Sequence, residues 1–255
     1  MIKNKLIIIL SIFLFLFYLP LEINAQTDEE PKKDLYLVIH AKPSNESIPA
    51  FEDALAEHMQ NYHESFPFAV FWVATGETYG GYYQLAHGPT NWTTLDSYSP
   101  SKEHDEHWNN EVMPLVEDIS GYTFWKQSSD VVLNPSESAV QNSFVQIFNI
   151  EDGETSRFVR ALQEWHEANV ESDFEGSYTA YSRQMSGQNQ FALVVNLPKG
   201  FSELDNPPQF RQQFEDIHGK QMWDLFADDT EKAIESVEIG MRFFRPDLST
   251  PISQE

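Results

Sequence analysis

The feature that most constrains the fold of this chain is an internal repeat. Two blocks of its 255 residues recur at nearly the same spacing. In the first block, the matched residues are Phe51, Ala54, Leu55, Glu57, Glu64 and Ser65 with Phe158, Ala161, Leu162, Glu164, Glu171 and Ser172, all at an offset of 107. In the second, Pro89-x-x-Trp92-x-x-Leu95-Asp96 matches Pro198-x-x-Phe201-x-x-Leu204-Asp205 at an offset of 109. Two independent blocks at nearly one spacing indicate two copies of one supersecondary unit.

Both copies show the same order of predicted elements. Runs of β-branched and aromatic residues predict strands, and apolar residues at helical spacing predict helices. The first copy has strands at 35–41, 68–74, 82–87 and 122–127, a helix at 48–62, and a helix from Ser99 whose apolar stripe reaches Ile119. The second copy has strands at 144–150, 177–184, 191–197 and 237–244, a helix at 156–170, and a helix at 208–218 that extends to Ile234.

The order is βαββαβ twice over, which predicts an α+β fold of two ferredoxin-like units. We expect these units at residues 34–127 and 143–246, with a linker at 128–142 and a flexible tail at 247–255. The duplicated unit resembles the dimeric α/β-barrel superfamily, fused here in one chain. The resemblance implies that the two units pack sheet to sheet as an intramolecular barrel. The superfamily includes monooxygenases and haem-binding chlorite dismutases, and no motif in this chain selects one branch.

Several predicted strands are apolar on both faces. In one of them Phe68, Val70 and Trp72 alternate with Ala69, Phe71 and Val73. Helices cover one face of a sheet, so the second face needs another cover, and burial of each large apolar side chain stabilises the fold by about 1.5–3 kcal/mol. The sheet of the other copy is the cover that the duplication supplies, which again predicts a barrel.

Alternation along the strands predicts which side chains face the barrel interior. His40, Arg183 and Arg242 are the candidate catalytic residues, because histidine transfers protons near neutral pH and arginine stabilises a developing negative charge. The candidate ligand-binding residues are Tyr36, Gln84, Gln146, Tyr181, Asn196 and Glu238. A one-residue slip in strand phase would exchange the interior and exterior sets. The alternative is a filled interior in which these groups pair with one another.

The sequence patterns that suggest a metal or haem site are weaker than those for the interior of the barrel. Glu103, His107 and Glu111 share a helix face at i, i+4 spacing, as metal ligands do. A solvated acidic helix face also explains them, so we expect no metal there. His58 aligns with Trp165 and is expected to be a core residue. Because the Gly-x-x-Asp-Gly signature of the haem-binding dye peroxidases is absent, as are nucleotide-binding loops, we expect no cofactor.

Composition excludes several classes of partner. The chain has 40 acidic and 16 basic residues, a net charge of −24, and no cysteine. A protein this acidic repels polyanions, so neither a nucleic acid nor an anionic membrane surface is an expected partner. Without cysteine, the fold cannot rest on disulfides or on thiolate-bound metals.

The first 25 residues predict a secretory signal peptide. Lys3 and Lys5 precede an apolar run at 6–19, and a small residue, Ala25, ends the segment. The run is shorter than the roughly 20 apolar residues that span a bilayer. We expect cleavage after Ala25, a polar leader at 26–33, no stable membrane anchoring, and a secreted or periplasmic location.

Two functions remain open at this point. One is an exported module that binds a small, largely apolar ligand, or a non-catalytic accessory module. The other is a cofactor-independent small-molecule enzyme of the monooxygenase, isomerase or lyase type. A cavity of about 300 Å³ or more that contains His40 and an arginine would favour the enzyme, and a filled interior would favour the first function. The sequence leaves the ligand and the oligomeric state open.

Overall fold

The computed structural model describes residues 31–136, 140–205 and 209–251. The predicted signal peptide, residues 26–30 of the polar leader, Pro208 and residues 252–255 lie outside this range. The described residues from Lys32 onward belong to one compact unit. Within the described residues, no helix combines the length and apolar character that crossing a membrane requires.

The elements of the first half follow the predicted order. They are β1 (Leu35–Pro43), α1 (Ile48–Tyr62), β2 (Phe68–Val73), β3 (Tyr83–Thr90), α2 (Trp92–Ser97), α3 (Lys102–His107), a π-helical turn (Trp108–Val112), a 3-10 turn (Met113–Leu115), β4 (Val116–Ile119) and β5 (Thr123–Leu133). The sequence predicted neither the helix α2 nor the short strand β4.

The second half repeats this order without an equivalent of β4. Its elements are β6 (Asn142–Ile150), α4 (Thr155–Glu171), β7 (Ser177–Gln184), β8 (Gln190–Asn196), a 3-10 turn (Phe201–Leu204), α5 (Phe210–His218), α6 (Lys220–Ala233) and β9 (Ile234–Phe244). The helix α2 and the 3-10 turn at Phe201–Leu204 lie in the two matching Pro-x-x-aromatic blocks, so the sequence repeat corresponds to a structural one.

Eight strands close into a barrel. The ring runs β1-β3-β2-β9-β6-β8-β7-β5 and returns to β1, and β4 lies outside it, paired with residues 41–43 of β1. Every strand pair is antiparallel. The first half contributes its strands in the order β5-β1-β3-β2, and the second half contributes the equivalent strands in the order β9-β6-β8-β7. The predicted α+β barrel of two ferredoxin-like units is thereby confirmed.

Two seams join the halves. β2 pairs with β9 through residues 71–73 and 242–244, and β5 pairs with β7 between residues 124–133 and 178–184. The second strand of each half is thus hydrogen-bonded to the last strand of the other. The expected sheet-to-sheet packing takes the form of one continuous ring, whose inner face is shared by both halves.

The first half packs a helix against the outside of this ring. Phe51, Leu55 and Met59 follow one another at intervals of four residues and therefore share one face of α1. All three are at most 1% exposed and belong to the same buried cluster as Leu37 and Ile39 of β1. Because odd-numbered residues of β1 point outward to the helix, its even-numbered residues face the barrel interior.

The helix layer of the second half is held by aromatic rings. We call this group the aromatic cluster, and its members are Trp165, Tyr178, Phe210, Phe214, Trp223 and Phe226. Phe214 is fully buried at its centre, with its ring centroid 4.8 Å from that of Phe226. The cluster joins α4, α5 and α6 to the outer face of β7.

The helix predicted from Ser99 to Ile119 is shorter than expected. The side chain of Ser101, rather than Ser99, caps α3, because its hydroxyl accepts a hydrogen bond from the backbone N–H of His104 at 3.1 Å. The last helical turn contains Pro114, which has no N–H to continue the helical ladder. Ile119 consequently lies in β4.

The predicted helix at 208–234 is also divided. Gly219 has a φ of 87°, a left-handed conformation that side-chain-bearing residues rarely adopt, and it separates α5 from α6. The strand β9 then begins at Ile234, three residues before its predicted start. The break lets α5 and α6 fold back on each other around the aromatic cluster.

Parts of two segments predicted to be irregular are ordered in the described residues. Residues 128–133, assigned to the linker, continue β5 and pair with β7. In the predicted flexible tail, Leu248 and Thr250 are at most 5% exposed, and the backbone N–H of Thr250 donates to the carbonyl oxygen of Phe68 at 3.0 Å. The chain therefore covers the start of β2 after leaving β9.

One strand departs from the expectation that both faces are covered. Val237 and Ile239 on the outer face of β9 are 45% and 53% exposed. The burial argument for covered faces is thus correct for the interior of the barrel and wrong for the outside of this strand.

Candidate functional site

The barrel encloses a cavity of about 950 Å³. Both halves line it, and the aromatic and polar side chains around it include Tyr36, His40, Phe71, Tyr79, Gln84, Trp125, Asn149, Tyr181, Arg183, Gln190, Glu238, Arg242 and Phe244. Between them lie small apolar side chains such as Val38, Ala86 and Val194. The interior is therefore open, and its volume lies in the range of sites that take small organic molecules.

Arg242 is the charged group at the centre of this site. Its Nε donates to Oγ of Ser143 at 2.8 Å, and its Nη1 donates to Oε1 of Gln84 at 2.7 Å. Its guanidinium carbon lies 4.2 Å from the centroid of the Phe71 ring. Across the described part of the chain, no carboxylate lies within ion-pair distance of Arg242. Burial lowers the pKa of Arg242 from 12.5 to about 10, so it remains charged at neutral pH.

His40 lies close to this arginine. The strand register places His40 opposite Gln84, which bonds Arg242. The ring of His40 stacks on that of Tyr79, with centroids 3.8 Å apart, and its Nδ1 is buried without a hydrogen-bond partner. Burial, and then the charge of Arg242, lower the pKa of His40 from 6.5 to about 4. The imidazole is therefore neutral at physiological pH.

Aromatic side chains form another part of the wall. The rings of Tyr36 and Tyr181 meet edge to face with centroids 5.3 Å apart, and the hydroxyl of Tyr36 donates to Oε1 of Gln127 at 3.1 Å. Burial raises the pKa of both tyrosines, so they stay protonated. Trp125, opposite Tyr36 on β5, donates from Nε1 to Oγ1 of Thr123 at 3.3 Å. These rings offer flat surfaces for a planar ligand.

Polar side chains continue the cavity wall along β6, β7, β8 and β9. Arg183 donates to the side chain of Gln190, and Gln190 in turn donates to Oδ1 of Asn149 at 2.6 Å. Glu238 accepts hydrogen bonds from the backbone N–H and the hydroxyl of Thr78, both at 2.7 Å. Glu238 therefore anchors the β2–β3 loop that carries Tyr79.

The structure brings most of the predicted site residues together. His40, Arg183, Arg242, Tyr36, Gln84, Tyr181 and Glu238 all line the cavity. Gln146 does not, because Val145 and Ile147 on either side of it do, which places Gln146 on the outer face of β6. Asn196 follows the interior phase of β8, but it donates to Oγ of Ser177 at 3.1 Å beyond the residues that line the cavity.

Several residues of the site were not singled out from the sequence, among them Phe71, Tyr79, Trp125 and Ser143. Phe71, Trp125 and Ser143 lie on the interior phase of their strands, so strand alternation alone could have found them. Tyr79 lies in the β2–β3 loop, where no periodic pattern exists. Its stacking on His40 depends on how that loop folds over the barrel.

The predicted array of Glu103, His107 and Glu111 does not converge. The helix widens into a π-turn after His107, which takes Glu111 out of line, and both glutamates are exposed. Nε2 of His107 lies instead 3.8 Å from a carboxylate oxygen of Glu57. The histidines of this helix face α1 and not the cavity.

The donor set of the cavity does not fit haem. Among the described cavity-lining residues, the histidine available as an axial ligand is His40. A metal-bound histidine almost always donates its second ring N–H to a carboxylate or carbonyl group, and Nδ1 of His40 has no such acceptor. Tyr79 also covers one face of its ring. We therefore assign no haem chemistry to this cavity.

Comparisons with known proteins show a shared fold at low sequence identity. No protein-family model matches the chain, and no curated protein matches its sequence. A proposed monooxygenase from Lactobacillus acidophilus NCFM has a TM-score of 0.52 at 10% identity over 86% of this chain and 96% of that one. A proposed monooxygenase from Fusobacterium nucleatum has a TM-score of 0.53 at 9% identity, over 84% and 94%.

A third similar structure belongs to another kind of protein. A chlorite dismutase mutant from Candidatus Nitrospira defluvii, in complex with cyanide, has a TM-score of 0.50 at 8% identity over 86% of this chain and 93% of that one. At these identities the likeness concerns the fold alone.

Proposed function

We propose that this chain, which has the fold of the dimeric α/β-barrel superfamily, is a small-molecule enzyme that acts inside its barrel without a bound cofactor. The proposed substrate is a planar, largely apolar molecule that forms an anion during the reaction. One observation carries this proposal: Arg242 presents a partly buried positive charge to the cavity with neutral partners only.

A buried cation without a carboxylate is costly to a folded protein, because desolvation is not repaid by an ion pair. The neutral side chains of Ser143 and Gln84 satisfy two donors of Arg242 but leave its charge uncompensated. An anionic ligand in the cavity would supply the missing countercharge. In a site from which water is largely displaced, such a charge-assisted hydrogen bond is stronger than in solution.

His40 is suited to generate that anion. It is neutral at physiological pH and can accept a proton on its imidazole ring. The charge of Arg242 contributes to its low pKa, so an anion bound at Arg242 would raise the basicity of His40. The base and the anion-binding group therefore support each other once a proton has moved.

In the monooxygenase form of this chemistry, His40 removes a proton from an acidic CH₂ group of the substrate. The resulting carbanion, stabilised by Arg242, transfers electrons to dioxygen, bonds to it, and takes the proton back from His40 to form a hydroperoxide. Loss of water then leaves a carbonyl group, so that one oxygen atom enters the substrate and the other leaves as water. The two proposed monooxygenases of similar fold support this class over an isomerase or a lyase.

Binding is tested with a matched pair of fluorescent probes, 8-anilinonaphthalene-1-sulfonate and its uncharged relative N-phenyl-1-naphthylamine. Arg242→Met should raise the Kd of the sulfonate by about 10- to 100-fold, the value of a lost charge-assisted hydrogen bond. The Kd of the uncharged probe should change by less than about threefold. Arg211→Met on the exposed surface of α5 is the control. Equal losses for both probes, or none, would contradict the role given to Arg242.

Catalysis is tested with 2-tetralone, an enolisable aromatic ketone. Deuterium exchange at its CH₂ group, followed by NMR, and oxygen uptake, followed with an electrode, should both fall at least about 100-fold in His40→Gln. Both activities should occur without added haem. If they require haemin and a Soret band develops with activity, the cofactor-independent mechanism is wrong.

Capture of a ligand without catalysis is the second candidate function. It is favoured by the low pKa of His40, which makes the free imidazole a weak base. Loss of sulfonate binding in Arg242→Met, without proton exchange in the unaltered chain, would favour this candidate.

We also propose that the chain is exported, with its mature form beginning at Gln26. The support is the basic, apolar and small-residue pattern of residues 1–25. Amino-terminal sequencing of the protein from a fractionated culture tests this. A protein that retains residues 1–25 in the membrane fraction would contradict it.

A further inference from the structure

Four histidines meet outside the barrel, between α1 and α3. His58 lies on α1, His63 follows its end, and His104 and His107 lie on α3. One ring nitrogen each of His58, His63 and His104 lie within 4.8 Å of one another. None of these residues lines the interior cavity. This histidine cluster is therefore a feature separate from the proposed active site.

Hydrogen bonds to the Nδ1 atoms set the orientation of these rings. Nδ1 of His63 lies 3.2 Å from the carbonyl oxygen of Phe66, and Nδ1 of His104 lies 2.9 Å from Oδ1 of Asp105. Because carbonyl and carboxylate oxygens only accept, Nδ1 carries the proton in both rings. The lone pair is then on Nε2, the nitrogen that remains free to bind an ion.

His58 also carries its proton on Nδ1 if His107 accepts a hydrogen bond from that nitrogen. Nδ1 of His58 lies 3.3 Å from Nδ1 of His107, whose Nε2 lies 3.8 Å from Glu57. When His107 holds its proton on Nε2, toward Glu57, it accepts from Nδ1 of His58. Nε2 of His58 is fully buried and has no hydrogen-bond partner. All three rings thus have one oriented Nδ1 and one free Nε2.

We propose that His58, His63 and His104 form a binding site for a divalent transition-metal ion, with zinc as the reference ion. Imidazole suits Zn, Cu and Ni, and the partners on Nδ1 match the outer-shell acceptors that metal-bound histidines use. His107, Phe66 and Asp105 are then positioning groups. Three protein ligands leave a fourth coordination position for water or another small ligand.

The distances permit this with small movements. An ion at the centre of nitrogens at most 4.8 Å apart lies at most about 2.8 Å from each of them. Zinc–nitrogen bonds are about 2.0–2.1 Å long, so each ring needs to move inward by at most about 0.7 Å. The side chain of His104 is 15% exposed, which gives an ion a route to the site. The acidic character of the chain favours cations near its surface.

The test uses the full chain, stripped with a chelator and titrated with zinc alone against a chromophoric competitor. We expect one ion per chain that survives desalting, and a rise in Tm of about 5–10 °C when zinc is about 100-fold above its Kd. His63→Gln and His104→Gln should weaken zinc binding by more than about 100-fold, since outer-shell losses alone cost about 10- to 100-fold. His107→Gln, which removes only a positioning group, should weaken zinc binding by about 10- to 100-fold.

His218→Gln is the matched control, because His218 lies on the corresponding helix layer of the second half and contacts the carbonyl oxygen of Glu164. It should leave zinc affinity unchanged. Circular dichroism shows whether each variant folds, and His104→Gln, at a partly exposed position, is the variant expected to fold best. With copper(II) alone, electron paramagnetic resonance should show coupling to several nitrogens.

Absence of stoichiometric binding would overturn the proposal, as would equal zinc affinity in the unaltered chain and in folded His63→Gln and His104→Gln. Binding of the fluorescent probes in the barrel reports on Arg242 and not on the histidines, so either proposal can fail without the other.

Discussion

The helix layers of the two halves occupy equivalent places and are filled by different chemistry. His58 in the first half aligns with Trp165 in the second at the offset of the repeat. Around His58 lie the imidazoles of His63, His104 and His107, with ring centroids 4.7–5.3 Å away. Around Trp165 lies the aromatic cluster.

This difference shows that the fold does not require histidines between its helices. The second half shows that apolar rings can fill the space between its helices, as they do around Phe214. The first half instead buries Nε2 of His58 without a partner, which costs free energy. We therefore regard the aromatic cluster as a stabilising core and the histidine cluster as the proposed binding site.

The largest effect is expected where the aromatic cluster is densest. Phe214→Ala should lower the free energy of unfolding by about 3–5 kcal/mol, because it leaves a cavity among fully buried rings. Urea unfolding followed by tryptophan fluorescence measures this. Phe201→Ala, at a 43% exposed position, is the control and should cost less than about 1 kcal/mol. Equal costs would show that the cluster is not the core of this layer.

A buried carboxylate provides the second comparison within this helix layer. Asp229 is fully buried and accepts from Arg160 and from Nη1 of Arg157, the latter at 2.6 Å. Asp229→Asn should destabilise the chain by about 1.5–3 kcal/mol, because it weakens hydrogen bonds to charged groups. Asp228→Asn, which removes an exposed ion pair with Lys232, should cost no more than about 0.5 kcal/mol. A similar loss in both variants would contradict the importance of the buried ion pair.

The same carboxylate predicts a pH dependence. Burial alone would raise the pKa of Asp229, but Arg160 and Arg157 hold it below its ordinary value of 3.8. The unfolded chain then binds more protons than the folded one, so stability rises with pH. The contribution of Asp229 is complete above pH 3.8 and disappears as the pH falls through its folded value. Unfolding midpoints measured from pH 5 to pH 2.5 should fall less steeply in Asp229→Asn, and an identical slope would exclude this cause.

The smallest effect is expected at the position that distinguishes the halves. In the metal-free chain, His58→Phe should leave stability unchanged or raise it by up to about 1 kcal/mol, because it removes a buried nitrogen without a partner. Trp165→His should destabilise the second half, since it places a polar ring among apolar ones. A loss of about 2 kcal/mol or more in His58→Phe would show that the histidines are structural.

The sequence predicted the elements well where local pattern decides them. The bounds of α1 and β7 agree with the prediction, and in α1 the apolar residues recur at undisturbed helical spacing. In β1, Leu37 and Ile39 alternate with Tyr36, Val38 and His40. The structure packs Leu37 and Ile39 against the apolar face of α1 and leaves the other three facing the interior, as predicted. Gln146 was misplaced because the middle of β6 is apolar on both faces, so alternation there does not show which face is interior.

The histidine cluster lay beyond prediction for another reason. His58 and His104 are 46 residues apart in the chain and meet only because α1 and α3 pack together. No spacing rule reports such a contact. The array that spacing did suggest, through His107, was lost when the helix changed its pitch after that residue.

The two seams of the barrel have a consequence for how this protein behaves in solution. Two separate chains that formed such a ring would need to find each other, and their barrel would come apart on dilution. Here the partner strand is tethered, so the integrity of the chamber around Arg242 is independent of protein concentration. A lone half would expose unpaired strand edges that could pair with other molecules. Here the strands of the other half already pair with those edges.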